Sequence, residues 1–442
     1  IIAERDLTED QESDVLESVV AHIGIPGAIP TLVPLQIGTF AELCDETDPK
    51  MLLAPRPRDI CLVLYTSGTS GPSKGVQIPQ AHAYLFGLQQ ARALSVGRAD
   101  CFLISLPMFH VNALLMSLGA CLLTGAEAYV TARFSASQWI SDVKISGATV
   151  TNTLGVMAEF ILQQPERSLD REHRLRRVMA VPVSAQWADI FRVRFGVDLV
   201  QVYGMTECNI VSFTGAADEL VPGCVGCVSD EFFEVAIVDP ETDCQLPAGA
   251  IGEIVIRPLL PFCFMQGYHG ASGTTVGAWR NLWFHTGDAG RLDEVGRLHF
   301  VDRMGDCIRR RGENISSFEI EQVLLSHPDV AECAVIGIKV GDAGGEQEIC
   351  AYLKSKGGPL DHMKFINWCA SRLPRYAVPR FLCIVAELEK TATGKVMKRT
   401  LRDCGWLPNM WDREQAGYKL ERETRAASLT HRSPAAPGAK GK

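Results

Sequence analysis

A loop rich in glycine and hydroxyl side chains, at 65–75, is the segment of this sequence best suited to chemistry. It follows an apolar run at 60–65 that predicts a buried strand. Glycines let backbone N–H groups approach an anion, hydroxyl groups donate to phosphate oxygens, and a lysine adds positive charge. We therefore expect phosphate binding by Thr66, Ser67, Gly68, Thr69, Ser70, Gly71 and Lys74. The spacing is not that of a Walker loop, and a flexible linker is the competing interpretation.

Further motifs follow this loop in a fixed order along the chain. They lie at 202–207, 285–288, 302–315, 373–379 and 391–395. Together with the loop they resemble the motifs of the adenylate-forming superfamily, which includes acyl-CoA synthetases, nonribosomal-peptide adenylation domains and luciferases. The resemblance implies an enzyme that uses ATP to convert a carboxylic acid into an acyl-adenylate. The acyl group would then pass to a thiol, which we expect to be that of coenzyme A.

The resemblance also assigns nucleotide contacts to particular residues. Glu207 is suited to hold Mg²⁺, together with Thr66, because this ion prefers carboxylate and phosphate oxygens. A surface carboxylate after a turn is the alternative for Glu207. Thr206 would donate a hydrogen bond to the α-phosphate, and the carboxylate of Asp288 would accept from the ribose hydroxyls. The other expected nucleotide contacts are those of Tyr203, Gly204 and Arg303.

Lys395 and His110 are two further candidates for the catalytic site. In the superfamily, the lysine at the position of Lys395 contacts the carboxylate and the α-phosphate during adenylation. The competing interpretation is an exposed lysine in a basic turn. His110 occupies a place where relatives carry an aromatic residue or a histidine beside the acyl pocket. A structural role for this histidine is equally compatible with the sequence.

Two half-reactions imply a moving domain, because the thiol must enter after adenylation. In the superfamily the small domain rotates about a residue that corresponds to Gly305, where relatives usually carry Asp or Lys. Glycine allows wide backbone rotation, so we expect the movement to remain possible. The basic loop that follows would line the CoA tunnel through Arg310 and Gly312. A solvated basic face is the open alternative for this loop.

The acyl pocket departs from the pattern of many relatives. They carry a Gly-Gly-Ala-Pro-like stretch, whereas this sequence has Met-Ala-Val-Pro-Val-Ser at 179–184. The bulkier side chains would narrow the pocket unless the stretch is displaced. Taken with the motifs at 309–316 and 391–395, the sequence is most similar to carnitine/crotonobetaine-type CoA ligases.

The predicted fold is a large α/β domain with a small β-barrel subdomain, joined by a hinge to a small α+β domain. Helices at 81–94 and 113–123 alternate with strands at 101–106 and 198–203, as in a sheet covered by helices. The expected parts are 1–210 (α/β part of the large domain), 211–303 (β-rich subdomain), 304–405 (small mobile domain) and 406–442 (disordered tail). The sequence begins at Ile1 rather than Met, and relatives carry a further α/β stretch upstream, so we expect part of the large domain to be missing.

The small domain has clear element signals of its own. Ser316 and Glu319 form a capping-box pattern at the start of a helix. The expected order is helix 317–326, strands 330–340 and 347–354, helix 361–372 and strand 381–386.

Composition restricts the class of protein. The chain has 442 residues and a net charge of −9, which argues against a nucleic-acid partner. Its 15 cysteines are scattered and odd in number, as expected of reduced thiols in a cytoplasmic enzyme. No apolar run is long enough to span a bilayer.

The expected partners are a carboxylic acid, ATP, Mg²⁺ and CoA, and a homo-oligomer is possible. A carrier-protein phosphopantetheine is an alternative acceptor, and a non-catalytic acyl- or nucleotide-binding remnant is the alternative from another class.

Overall fold

The computed structural model describes residues 55–66, 73–183, 185–215, 218, 221, 223–310, 313–339, 347–390, 396–405 and 410–418. These residues form two compact units. The first contains the described residues up to 286 together with 290–300. The second contains 287–289 and the described residues from 301 onward.

The strands and helices of the larger part of the chain alternate up to about residue 205. Its strands are β1 (Ile60–Thr66), β2 (Lys74–Pro79), β3 (Cys101–Ile104), β4 (Glu127–Val130), β5 (Val150–Leu154), β6 (Arg177–Val181), β7 (Asp198–Val200), β8 (Val202–Met205), β9 (Asn209–Phe213), β10 (Cys224–Val228), β11 (Phe233–Val238), β12 (Gly252–Pro258), β13 (Gly267–Tyr268), β14 (Trp279–Arg280), β15 (Trp283–Leu292) and β16 (Arg297–Arg303). Its helices are α1 (Gln80–Leu94), α2 (Gly119–Thr124), α3 (Trp139–Ser146), α4 (Gly155–Leu162), α5 (Ala185–Phe195) and α6 (Ser272–Ala278), with a π-helix at Asn112–Leu118 and a 3₁₀ turn at Ser168–Arg171.

A five-stranded parallel sheet of order β4-β3-β5-β6-β7 lies at the centre of the α/β region. Successive side chains of a strand point to opposite faces, so Phe102 and Leu103 enter different cores. Phe102 packs with Phe86 of α1, whereas Leu103 packs with Trp139 of α3 and Phe191 of α5. Helices therefore cover both faces, as the sequence predicts for an α/β sheet.

An eight-stranded sheet contains most of the later strands of the first unit. Its order is β11-β12-β15-β16-β10-β9-β8, with β14 paired to β15. The pairs β11–β12, β10–β16, β9–β10 and β8–β9 are antiparallel. Its strands β10, β11, β12 and β16 lie within 211–303, the part that the sequence predicts to be rich in strands. The sheet already includes β8 and β9, which begin before residue 210.

A small antiparallel sheet supports the hydroxyl-rich loop. Its order is β1-β2-β13, and β1 and β2 flank that loop directly. Residues 67–72 of the loop lie outside the described residues. The described ends of the loop are fixed by the pairing of Thr66 with Lys74.

The second unit is an α+β arrangement. Its elements are β17 (Ile308–Arg310), β18 (Glu313–Ile315), α7 (Ser317–Leu325), β19 (Val330–Lys339), β20 (Gln347–Ser355), α8 (His362–Ala370), a 3₁₀ turn (Arg375–Ala377), β21 (Phe381–Ile384), α9 (Lys398–Cys404) and β22 (Trp411–Asp412). The sheet has the order β19-β20-β21-β22. Phe365 of α8 and Ile320 of α7 pack on one face, and Leu401 of α9 contacts the cluster on the other. Each predicted helix and strand of the small domain between 317 and 386 is present.

Two predicted elements are wrong in detail. The segment predicted as one helix at 113–123 is a π-helix over Asn112–Leu118 that continues as α2. The strand predicted at 198–203 is divided at Gln201, because the backbone N–H and C=O of this residue pair with Thr214. The two halves, β7 and β8, consequently belong to different sheets.

Within the described part of the chain, no helix is both long and apolar enough to cross a lipid bilayer.

Candidate active site

The turn between β8 and β9 carries Thr206 and Glu207, both buried. The hydroxyl of Tyr268 donates a hydrogen bond to Oε1 of Glu207 at 3.0 Å. No donor among the described residues reaches Oε2 of this carboxylate. Met265 N–H donates to the backbone oxygen of Glu207 at 2.9 Å, which fixes the main chain of the turn. Burial and the neighbouring carboxylate raise the pKa of Tyr268, so this phenol remains a neutral donor.

His82, a fully buried residue near the start of α1, contacts the backbone of the same turn. Its Nε2 lies 3.0 Å from the backbone oxygen of Thr206. Its Nδ1 lies 3.0 Å from the side-chain amide nitrogen of Asn209 and 3.0 Å from the carbonyl oxygen of Cys263. A neutral ring can donate to only one of the two carbonyls; protonated on Nε2, it donates to Thr206 and accepts from Asn209 at Nδ1, so the Cys263 carbonyl receives no proton from it. Burial lowers the pKa of His82 to about 4, which favours this neutral form.

The burial of His82 predicts that acid destabilises the fold. Below about pH 6.5 the unfolded chain binds a proton at this position, whereas the folded chain does so only near its pKa of about 4. The contribution of His82 to the free energy of unfolding should therefore be constant above about pH 6.5. It should fall by about 3 kcal/mol as the pH decreases from 6.5 to 4. Urea unfolding of the wild type and of His82→Gln at several pH values measures this difference. The exposed His269, replaced by Gln, is the control, and identical pH slopes for wild type and His82→Gln would contradict the prediction.

Lys74 begins β2 at the end of the hydroxyl-rich loop. Its ammonium group lies 5.0 Å from the centroid of the Tyr268 ring. The hydroxyl of Thr66, across the β1–β2 pair, donates a long hydrogen bond of 3.4 Å to the backbone oxygen of Lys74. Predicted phosphate-binding and metal-binding residues are therefore neighbours around one aromatic ring. Ser67, Gly68, Thr69, Ser70 and Gly71 lie outside the described residues.

Tyr203 and Gly204 lie in β8, directly before the buried turn. The Tyr203 ring is buried in the first unit's core, with its centroid 6.0 Å from that of Phe300. A Cβ atom at Gly204 would lie 2.1 Å from the backbone oxygen of Asn209, so only glycine fits here. Backbone packing alone therefore requires glycine at position 204, whether or not a ligand binds there.

Asp288 and Arg303, the predicted ribose contacts, lie together in the second unit. Asp288 is buried in β15, and the Nε of Arg303 lies 3.7 Å from its Oδ1. The N–H of Met304 donates to the carbonyl of Gly287 at 2.8 Å and ties the two segments together. The structure therefore brings these two predicted residues into one cluster.

The segment around the predicted hinge, Gly305, is held by two helices of the second unit. Oδ2 of the buried Asp302 accepts from the N–H groups of Ser317 (2.7 Å) and Phe318 (3.2 Å) at the start of α7, and from the Ser317 hydroxyl (2.6 Å). From α9, Arg402 donates to the carbonyl oxygen of Gly305 at 2.7 Å.

Lys398 of α9 extends this network. Its ammonium donates to the Ser317 hydroxyl at 2.7 Å and pairs with Glu321 at 2.8 Å. At the N-terminus of α7, Ser316 Oγ accepts from Glu319 N–H, as the capping pattern predicts.

The remaining candidates differ in their surroundings. Arg310 is buried, pairs with Glu348 at 2.8 Å and donates to the Tyr376 carbonyl at 2.7 Å. These contacts give Arg310 a structural role in the second unit, while the neighbouring Arg309 is exposed. His110 is exposed in the turn before the π-helix. Gly312 and Lys395 lie outside the described residues.

Sequence reasoning missed His82 and Tyr268. His82 is separated from Thr206 by 124 residues, and Tyr268 from Glu207 by 61. No spacing rule connects side chains over such distances. The signal that could have found them is that each is a polar side chain within an apolar segment.

Comparisons with known proteins identify the family to which the chain belongs. A family model described as "AMP-binding enzyme" matches residues 4–269, and one described as "AMP-binding enzyme C-terminal domain" matches residues 319–395. A crotonobetaine/carnitine–CoA ligase from Salmonella paratyphi C is 33% identical over 349 residues, which are 78% of this chain and 66% of that relative. The Citrobacter koseri protein of the same name is 32% identical over 398 residues, 88% of this chain and 75% of the relative.

Solved structures give the same result. ATP-bound MatB from Rhodopseudomonas palustris superimposes with a TM-score of 0.70 at 26% identity, over 80% of this chain and 69% of that one. The O-succinylbenzoate CoA synthetase MenE from Bacillus subtilis, with ATP and a magnesium ion, gives 0.69 at 26% identity, over 82% and 74%. The chain thus spans 66% of the length of the first curated relatives.

Proposed function

The chain belongs to the family of AMP-binding enzymes, and on this premise we propose that it is an ATP-dependent carboxylate–CoA ligase. In the first half-reaction, a carboxylate oxygen attacks the α-phosphate of ATP, giving an acyl-adenylate and pyrophosphate. In the second, the CoA thiol attacks the acyl carbon, giving a thioester and AMP. The observation that carries the proposal is the buried Thr206–Glu207 turn, held by Tyr268 beside the loop lysine Lys74.

The residues around Glu207 fit a magnesium ion. Mg²⁺ is usually held by one or two carboxylates and substrate phosphates rather than by a complete protein cage. Among the described residues there is no cluster of three or more His, Cys, Asp or Glu side chains, so a single carboxylate is the expected mode. Glu207, whose Oε2 accepts no hydrogen bond from the part of the chain that the structure describes, and Thr66 would hold the ion. When bound, it would neutralise charge on the phosphates.

The other residues bind and orient the reactants. Lys74 and the loop before it bind the phosphates, and Thr206 donates to the α-phosphate. Tyr203 and Gly204 border the adenine, and Asp288 with Arg303 orients the ribose. Lys395 stabilises the negative charge that develops as the carboxylate approaches the phosphate. His110 is retained as a candidate for the wall of the acyl pocket.

The acceptor and the moving domain complete the proposal. We assign free CoA rather than a carrier protein, because the curated relatives are named CoA ligases and the neighbour MenE is named a coenzyme A synthetase. Because Arg310 pairs with Glu348, the exposed Arg309 is the better partner for a CoA phosphate, and Gly312 would lie along the tunnel.

The proposal also includes rotation about Gly305, closure of the later strands into a barrel, and a homo-oligomeric state. The described cysteines are all free thiols, which favours the cytoplasm as the location.

Exchange of labelled pyrophosphate into ATP in the presence of different acids tests the proposed function. Crotonobetaine and carnitine are the first acids to test, because the relatives at 32–33% identity are named for them. Exchange that requires one acid, followed by a thioester when CoA is added, is the expected result. A thioester formed only with a carrier protein would change the acceptor. Tight ATP binding without exchange for any acid would indicate a non-catalytic binding protein.

A further inference from the structure

Tyr268 is fixed in position by its backbone as well as by its side chain. It lies in the short strand β13, opposite Val76 of β2. Its N–H donates to the hydroxyl of Thr275 at 2.9 Å. The side chain is buried. A ring held in this way cannot swing away from its neighbours without disturbing the strand pair.

The same ring contacts two groups of opposite charge. The Lys74 ammonium lies over its face, 5.0 Å from the centroid, where the negative potential of an aromatic ring attracts cations. Its hydroxyl donates to Glu207 Oε1 at 3.0 Å. Tyr268 therefore contacts a predicted phosphate ligand through its ring face and a predicted metal ligand through its hydroxyl, and both contacts are favourable.

We propose that Tyr268 is a positioning residue of the ligase site, which orients the Glu207 carboxylate and keeps the Lys74 ammonium from pairing with it. This inference rests on the proposed function. A carboxylate and an ammonium in a partly buried site attract each other strongly. If they paired directly, each would lose capacity for its own ligand. Tyr268 opposes such pairing, because its ring face attracts the ammonium and its hydroxyl fixes one carboxylate oxygen.

The two contacts can be separated by two substitutions. Tyr268→Phe keeps the ring and its contact with Lys74 but removes the donor to Glu207. Tyr268→Leu removes the ring as well, so Lys74 becomes free to approach Glu207. We expect the Phe variant to weaken Mg²⁺-dependent ATP binding by about 10–100-fold, the scale for losing a hydrogen-bond partner of a metal ligand. Its affinity for ATP without Mg²⁺ should remain that of the wild type. The Leu variant should lose affinity for ATP under both conditions.

Titration calorimetry with ATP, with and without Mg²⁺, is the direct readout. Tyr352→Phe is the matched control, because Tyr352 is also buried and its hydroxyl has no hydrogen-bond partner among the described residues. A double-mutant cycle with Glu207→Gln adds a second readout, since a residue that acts through Glu207 should have little further effect once that carboxylate is gone. An unchanged Mg²⁺ dependence in Tyr268→Phe, or additive effects in the cycle, would overturn the inference.

A second variant keeps the test decisive if Tyr268→Phe fails to fold. Thr275→Val removes the acceptor for the Tyr268 N–H and keeps the hydroxyl that contacts Glu207. A smaller loss of Mg²⁺-dependent affinity is expected, and no loss would count against Tyr268. Since calorimetry needs no turnover, absence of pyrophosphate exchange in the wild type would refute the proposed function while leaving the positioning of Glu207 and Lys74 testable.

Discussion

Replacing Lys395 with alanine is expected to slow acyl-adenylate formation by about 10²–10³-fold, the scale for losing one group that stabilises charge in a transition state. Thioester formation from a supplied acyl-adenylate should remain close to the wild-type rate, because the α-phosphate bond is already formed in that substrate. Pyrophosphate exchange measures the first step, and CoA consumption with purified acyl-adenylate measures the second. The informative quantity is the loss of rate in acyl-adenylate formation compared with the loss of rate in thioester formation.

Lys390 provides the control for this experiment. It lies close to Lys395 in the sequence, and its ammonium pairs with Glu332 at 2.7 Å. Lys390→Ala should leave both half-reactions nearly unchanged, since the ion pair is partly exposed and contributes little to stability. An equal loss of both steps in Lys395→Ala would contradict the two-conformation scheme, because the lysine would then serve both reactions in the same way.

Replacing Glu207 with glutamine is expected to reduce the use of Mg²⁺-ATP by about 10²-fold or more. An amide oxygen carries no net charge, so the ion would lose its one protein carboxylate, and metal stabilisation of phosphate charge amounts to several kcal/mol. The measurement is the rate of pyrophosphate exchange as a function of Mg²⁺ at fixed ATP. The half-saturating Mg²⁺ concentration should rise together with the fall in maximal rate.

Glu253 is the matched control for Glu207. It is equally buried, and its Oε2 lies 2.9 Å from Nδ1 of His285. Glu253→Gln should lower the thermal stability without changing the Mg²⁺ requirement. If Glu207→Gln kept the wild-type Mg²⁺ dependence, another residue would hold the ion, and the assignment of Glu207 would be wrong.

The sequence predicted the fold well where the signals are local. The parallel sheet follows from short apolar runs such as Cys101–Ile104, and the start of α7 follows from Ser316 and Glu319. It was less successful where a distant partner decides the outcome. The strand is interrupted at Gln201 because the backbone N–H and C=O of this residue form hydrogen bonds with Thr214. No property of residues 198–203 reveals that partner.

The same distinction applies to the candidate site. Motif positions such as Thr206, Glu207 and Asp288 could be identified from residue type and order. The side chains that hold them, His82 and Tyr268, depend on tertiary contacts between segments far apart in the sequence. Arg310 shows the converse, because the basic run predicts a CoA contact, and nothing in the sequence reveals that the guanidinium pairs with the half-buried Glu348.

The contact between Asp302 and α7 has a thermodynamic consequence for a cycle that pivots at Gly305. The carboxylate precedes the pivot, and the N–H groups that it accepts from follow it, so rotation would break all three hydrogen bonds at once. Each hydrogen bond to a charged group contributes roughly 1.5–3 kcal/mol. Together, these contacts would favour the conformation in which Asp302 accepts from α7 by several kcal/mol. The enzyme would then spend most of its time in the arrangement with these hydrogen bonds formed, and the switch to the second half-reaction would require other contacts that offset their loss.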